Sequence, residues 1–417
     1  MAEKDLTGKN VVLGIQHTFV MFGATVLVPI ITGLDVGVTL FAAGIGTLLF
    51  HLVTKWKVPV FLGSSFAFIP GIMAVGASEG LPYALGGVAI AGLLYVVVSI
   101  IFRFVPYEGL HKILPPHVTG PMIILIGLIL APVAIQNARG DFSAPLVEAI
   151  GVNGAWGIAL FTFAVGIFVK VAFVRFGWKF MSNLPVLIAL IAGYILALII
   201  GVVDFTVVNE AKWFGLPAFS APKFSFSAVA IILPIAIVTM VEHFGDVLAI
   251  GNVVSKDFIK DPGIHRTLIG DGLATTVSAL IGGPANTTYS ENTGAVALTG
   301  AFNPIIMRIA ALFAILLSLV PKFTALISTV PGPVIGGISI LLFGMISSIG
   351  IKNMVDARVN LSNPKVLIVS AAMLVLGLGG ASFSFGGLSF SGLGLAAIFG
   401  IVLNLILRTK DATGSEG

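Results

Sequence analysis

Glu242 and Glu291 are acids set in stretches that otherwise read as membrane-spanning. A carboxylate at that depth is costly, and such residues usually face a bundle interior or a water-filled cavity and mark a substrate or proton path. Glu242 lies in IAIVTMVEHFGDVLAI, with Asp246 one helical turn further on and so on the same face. Two acids this close in a low dielectric cannot both ionise easily. A carboxyl exchanging its proton near neutral pH can carry that proton across with a solute. Glu291 lies in PANTTYSENTGAVAL, a segment too interrupted by Pro, Asn, Thr and Gly for an ordinary span. Asp271, in IGDGLATTVSALIGG, is a further acid in either a buried or a helix-end position. His17 is placed to hydrogen-bond Glu242 or Asp246 and orient it; the competing reading makes His17 and His243 satisfied core histidines. Glu242, His243 and Asp246 do not form a metal set, because His243 adjoins Glu242 and points to another face. Nor is this the spacing of a zinc hydrolase.

These acids need elements to hold them. The chain has 417 residues, 57% hydrophobic and 10% charged, with mean hydropathy +1.10. Soluble domains carry about 25% charged residues, so this is a membrane-embedded chain. Runs such as ALGGVAIAGLLYVVVSIIF reach the ~20 residues a spanning helix needs. Strand alternation of the barrel kind is absent, which leaves a polytopic helical bundle in the lipid bilayer. With no cysteine, disulfides and thiolate chemistry are excluded. No cleavable signal is evident. Neither a nucleotide-binding motif nor a catalytic constellation is present. The expectation is a secondary transporter and not an enzyme, with no cofactor, no metal and no nucleic-acid partner.

Fourteen spans are expected, near 10–33, 36–54, 59–77, 82–105, 117–136, 155–174, 183–203, 227–252, 264–282, 286–300, 305–328, 331–350, 364–382 and 388–408. With the N-terminus inside, 18 of the 22 basic residues fall on the cytoplasmic side and four, Arg139, Lys212, Lys223 and Lys322, on the other. That bias follows the positive-inside rule and places both termini in the cytoplasm. The halves also echo each other. Gln16–His17 aligns with Glu242–His243, LGSSFAFIPG with PANTTYSENTG, and HVTGPMIILIG with PVIGGISILLFG, where Val118/Val334, Gly120/Gly336, Ile124/Ile340 and Leu125/Leu341 agree. Two seven-span repeats result, and an odd count per repeat forces opposite orientations. Transporters built this way place their sites where paired broken helices meet near the midplane.

Spans three and ten are the broken pair, interrupted by Gly63, Ser64, Ser65 and Pro70 and by Pro284, Asn286, Thr287, Thr288 and Asn292. The β-leaning stretches SFAF and NTTY are expected to pair as short strands, and the half-helices after them to aim free N–H groups at one point. Donors from two helix ends and acceptors from two carboxylates suit a small neutral solute with N–H and carbonyl groups. Uracil has both, and Phe66, Phe68 or Tyr289 could stack on its ring. An anion would be repelled by Glu242 and Glu291.

The run Glu291-Asn292-Thr293-Gly294, followed by Thr299-Gly300, fits the signature of the nucleobase–ascorbate transporter family, which the chain resembles. Gln16–His17, LGSSFAF and VEHFGD resemble the same family, and the likeness runs from about residue 8 to 408, nearest to bacterial uracil permeases. It implies fourteen helices in two inverted repeats, with a core of spans one to four and eight to eleven (8–112 and 226–329). The remaining spans would form a gate (113–225 and 330–410). Glu242 and Glu291 would accept the base's N–H groups, Phe66 and the Tyr289–Ser290 backbone would meet its carbonyls, and His17 would lie near the proton-handling Glu242. Ser339 and Phe343 match gate positions that close over the substrate. Homodimers and an elevator motion of core past gate are also implied. Two residues depart from the uracil pattern: Asp246 replaces a His, as purine carriers favour, and Phe343 replaces a Tyr. The alternatives are therefore a xanthine-type purine permease and an anion exchanger or channel of the same fold.

Overall fold

Strong helix signals set most boundaries. α1 (Gly8–Thr32) starts where the Thr7 hydroxyl accepts from Asn10 N and ends at Gly33 in the left-handed region, φ 78°. α2 (Val36–Val53) is capped by Asp35, and α8 (Phe226–Val254) by Ser225. A computed structural model describes residues 6–104, 114–142, 144–178, 181–385 and 388–407. Within those ranges the side chains of 290, 291, 384, 385, 388, 389 and 391 lie outside the description.

Between α2 and α8 come β1 (Leu62–Ser64), a 3-10 turn at Phe66–Phe68, α3 (Ile69–Ser78), α4 (Leu81–Phe102), α5 (Pro116–Arg139), α6 (Ala144–Arg175) and α7 (Pro185–Ile200). After α8 follow α9 (Ile264–Leu280), β2 (Asn286–Thr288), α10 (Ser290–Thr299), α11 (Pro304–Ser318), α12 (Pro321–Ser328), α13 (Gly332–Asp356) and α14 (Pro364–Leu378). The last elements are β3 (Ser382–Phe385), β4 (Leu388–Ser391) and α15 (Gly392–Ile406). Among the described residues, seven helices are long and apolar enough to cross a membrane, or eight if the pair α11 and α12, bent by 85°, counts as one span. The chain is thus a multi-pass helical membrane protein. A helix or half-helix lies at each of the fourteen expected positions, but several are shorter than a full span.

Three expectations change in detail. α6 begins at Ala144, well before residue 155, and breaks at Gly151 (φ 69°, ψ 168°). SFAF does not form the strand of broken span three: pairing stops at Ser64, and Phe66–Phe68 wind into the 3-10 turn. The stretch shared between the ends of expected spans thirteen and fourteen is an antiparallel hairpin, β3 with β4.

β1 and β2 do pair, antiparallel, with Leu62 opposite Thr288, Gly63 opposite Thr287 and Ser64 opposite Asn286. A two-stranded ribbon buried among helices leaves backbone groups that must find partners elsewhere. Helix side chains supply them. Leu62 N donates to Thr47 Oγ1 at 2.9 Å, and Thr275 Oγ1 donates to Asn286 O at 2.8 Å. Asn286 Nδ2 reaches Ala42 O at 3.0 Å, so its side chain bolts β2 to α2. Asn286→Ala removes that tie while Ala42 O keeps its helical partner, and is expected to cost about 0.5–1.5 kcal/mol, read as a lower unfolding temperature in detergent.

The helices pack as two groups. α2 lies against α9 and α11, α4 against α8 and α9, and α1 against α11. Separately, α13 lies along α5 and α6, α6 against α7, and α14 against α15 and α5. Gly120 on α5 faces Met354 on α13, whereas Gly336 faces Asn137 and Ala138, so the two helices run antiparallel. Exposed Leu160, Phe161, Phe168 and Val171 give α6 an apolar outer face suited to lipid.

Candidate functional site

A cavity of about 270 Å³ opens beside the strand crossing. That is near the lower end of ligand pockets, roughly 300–1,000 Å³. One wall is Phe66, Glu242, Asp246, Thr287, Thr288 and Tyr289, drawn from α8 and both broken spans. The opposite wall is Ile123 of α5 with Ile346, Ile349, Lys352 and Asn353 of α13. The acids of α8 face this space one turn apart, with Gly245 between them adding no bulk.

The aromatic residues are fixed from behind. Tyr289 is the extended residue before α10 (φ −112°, ψ 125°), and its hydroxyl donates to Ser64 O at 2.7 Å across the crossing. Its ring is nearly parallel to that of Phe66, at 13° with centroids 6.3 Å apart. Phe343 meets Phe66 edge-on at 5.9 Å. α10 starts immediately after Tyr289, and the 3-10 turn leading into α3 starts at Phe66. Both helical starts bring N–H groups without intrahelical acceptors, and the positive ends of their dipoles, to the cavity's edge.

Asp246 and Thr288 are joined, the Thr288 hydroxyl donating to Asp246 Oδ2 at 2.8 Å. Behind them His243 Nδ1 lies 3.2 Å from Asp271 Oδ2, both side chains fully buried. Asp271 is therefore an interior acid and not a helix-end one. His17 is buried in α1, its Nε2 3.1 Å from Thr299 Oγ1 near the end of α10, so the polar partner seen for it lies in the signature segment. Ser339 is buried on α13 one turn before Phe343, and its Oγ has no hydrogen-bond partner among the described residues. Phe343 reaches the site through Phe66. Ser290 and Glu291 begin α10, but their side chains lie outside the described residues.

Sequence reasoning singled out Thr288 only as a helix breaker, and did not pick Ile123, Ile346, Lys352 or Asn353. A signal existed for Thr288, a hydroxyl two residues before the half-helix. For Ile123 and Ile346 there was none, because an isoleucine on a cavity wall reads like any lipid-facing isoleucine.

Half-spans crossed by antiparallel strands, with carboxylates at the crossing and apolar helices around them, define a membrane transporter rather than an enzyme. The chain belongs to the Permease family, whose model Xan_ur_permease matches residues 8–384. It is 42% identical to the uracil permease of Bacillus caldolyticus, covering 97% of this chain and 93% of that protein. It is 43% identical to the uracil permease of Bacillus subtilis, covering 96% and 94%. In fold it is similar to the transmembrane domain of the cyanobacterial bicarbonate transporter BicA, with TM-score 0.66 and 16% identity over 95% of this chain and 97% of that one.

Proposed function

We propose that the chain imports uracil together with protons across the bacterial cytoplasmic membrane. The observation that carries this reading is one cavity holding Glu242 beside two helical N-termini. The acid accepts a ring N–H, and the free backbone N–H groups meet the carbonyls. The 42–43% identity to uracil permeases supports the choice of base. Glu291 supplies the second acceptor by its place in the family signature. Glu242, with Asp246 and His17, handles the proton, and Ser339 and Phe343 close the gate.

The chain crosses the membrane fourteen times as two inverted repeats, with which the antiparallel strand and helix pairings agree. The first packing group is the core, and the second, with α13 against α5, is the gate. The core slides past the gate as an elevator in each protomer of a homodimer. The cavity extends to Lys352 and Asn353, at the end of α13 that the basic-residue bias places in the cytoplasm, so it opens inward. A second reading, a xanthine-type base as cargo, has Asp246 on the cavity wall in its favour.

The test is uptake of labelled uracil into proteoliposomes under an inward proton gradient, with excess unlabelled xanthine. Accumulation that collapses with a protonophore and ignores xanthine is the expected result. Accumulation of labelled xanthine in place of uracil would transfer the assignment to the purine reading.

A further inference from the structure

Behind the cavity wall a chain of polar groups runs away from the site. The Thr288 hydroxyl donates to Asp246 Oδ2 at 2.8 Å, and Thr288 Oγ1 also lies 3.4 Å from His243 Nδ1. That nitrogen is 3.2 Å from Asp271 Oδ2. Asp246 and Thr288 line the cavity, whereas His243 and Asp271 are completely buried beyond it. Among the described residues His243 Nε2 and both Asp271 oxygens lack a well-aligned hydrogen bond, and the 3.2 Å approach of His243 Nδ1 to Asp271 Oδ2 is an ion-pair contact.

The groups facing Asp271 come from several elements. Tyr95 on α4 stands nearby, its hydroxyl bonded to Thr239 on α8. α2 contributes Phe50, edge-on to the His243 ring at 6.2 Å, and His51 beside it, whose Nε2 is held by Val60 O. Glu242 and Asp246 share α8 with His243. Among the described residues, His243 is the group that pairs with Asp271, and no lysine or arginine ion-pairs with it. A buried carboxylate without a fixed cation is neutralised most simply by a proton.

We infer that Asp271 is a proton store, loaded from Asp246 through Thr288 and His243. The inference rests on the proton-coupled reading above, in which Glu242 handles the proton at the cavity, and adds a second acid behind the wall that must also be loaded. The transfer balances without any other reactant. His243, neutral with its proton on Nε2, accepts the Thr288 hydroxyl proton at Nδ1 while Thr288 Oγ1 takes the proton that arrived on Asp246. The imidazolium so formed then releases its Nδ1 proton to Asp271 Oδ2 and returns to neutral. Asp246 ends ionised and free to accept from the cavity, and Asp271 ends neutral. Thr288 and His243 are positioning residues in this scheme, because each acts through the acid it serves. Because β2 carries Thr288 and leads into α10, the state of the store is felt at the half-helix that faces the substrate.

Two transport assays and one spectrum test the store. Counterflow of uracil needs no net proton movement, whereas accumulation driven by a proton gradient does. Asp271→Asn is expected to retain counterflow, to lose accumulation, and to lack a protonated-carboxyl infrared band that the unmodified protein shows between acid and neutral pH without uracil. Thr288→Val is expected to slow the initial rate of gradient-driven uptake about 100-fold, and Thr288→Ser, which restores the hydroxyl, to recover it. Accumulation that survives in Asp271→Asn, a carboxyl band unchanged by that substitution, or Thr288→Ser as slow as Thr288→Val would each overturn the inference. If Asp271→Asn does not fold, the threonine pair decides. If the unmodified protein fails to accumulate uracil, the transport reading falls, and the carboxyl band still decides whether Asp271 stores a proton.

Discussion

Glu242→Gln is expected to abolish proton-driven accumulation of uracil while leaving measurable binding. The amide keeps the shape of the side chain and one acceptor oxygen, so a ring N–H of the base still finds a partner in the cavity. It cannot take up a proton, so the gradient has nothing to act on at that position. A hydrogen bond to a charged group contributes about 1.5–3 kcal/mol and a neutral one about 0.5–1.5 kcal/mol, so downgrading one weakens binding by roughly 10-fold. Binding to purified protein gives the affinity, and proteoliposome uptake with and without an imposed gradient gives the coupling. Accumulation at the normal level would remove Glu242 as the proton carrier. Unchanged affinity would remove it from the site.

Gly336→Val is expected to be severely damaging to the fold. At this position α13 and α5 touch backbone to backbone: a Cβ would come within 2.5 Å of Ala138 Cα and 2.8 Å of Asn137 C. Those atoms are main chain and cannot swing aside, so the helices must separate. Separation would also strain the Ser347 Oγ bond to Ile124 O, 3.1 Å long, that ties the same pair further along. Overpacking a tight contact commonly costs 1–3 kcal/mol, and a backbone clash lies at or beyond about 3 kcal/mol. The measurement is the fraction of monodisperse protein in detergent, followed by its unfolding temperature. At Gly344, on the same helix, a Cβ meets open space. Gly344→Ala should therefore behave normally and serves as the control; equal stability of both variants would disprove the crossing.

Much of this architecture was legible because membranes leave few options for buried backbone. Pro284, Asn286 and the hydroxyl-rich run after them could not continue a helix, and their echo in Gly63-Ser64-Ser65 pointed to a crossing of two broken spans. The exact register was not legible. Strand and turn are both available to a short run such as SFAF, and the choice fell to Thr47 and Thr275, which bond the backbone of Leu62 and Asn286 from distant helices, and to the Asn286 side chain, which ties β2 to α2. The hairpin Ser382–Ser391 was missed for another reason. Its alternating Phe and Ser around Gly386-Gly387 is a strand-and-turn signature, but a 20-residue hydropathy window averages it into the apolar runs on either side. The acids themselves were conspicuous from cost alone. His243 was not, since a histidine next to a glutamate on a helix says nothing of the aspartate on α9 that it meets.

The three-pair ribbon of β1 and β2 has a further consequence, for ancestry. Each strand comes from a different half of the chain, and each is followed by the helical start that supplies one side of the cavity. A half-length chain would carry one strand with no partner and one donor end with nothing opposite. If the halves arose by duplication of a shorter gene, that gene's product could have formed such a site only by meeting a second copy whose strand ran antiparallel to its own. Joining the copies would then have made permanent an encounter that once depended on concentration.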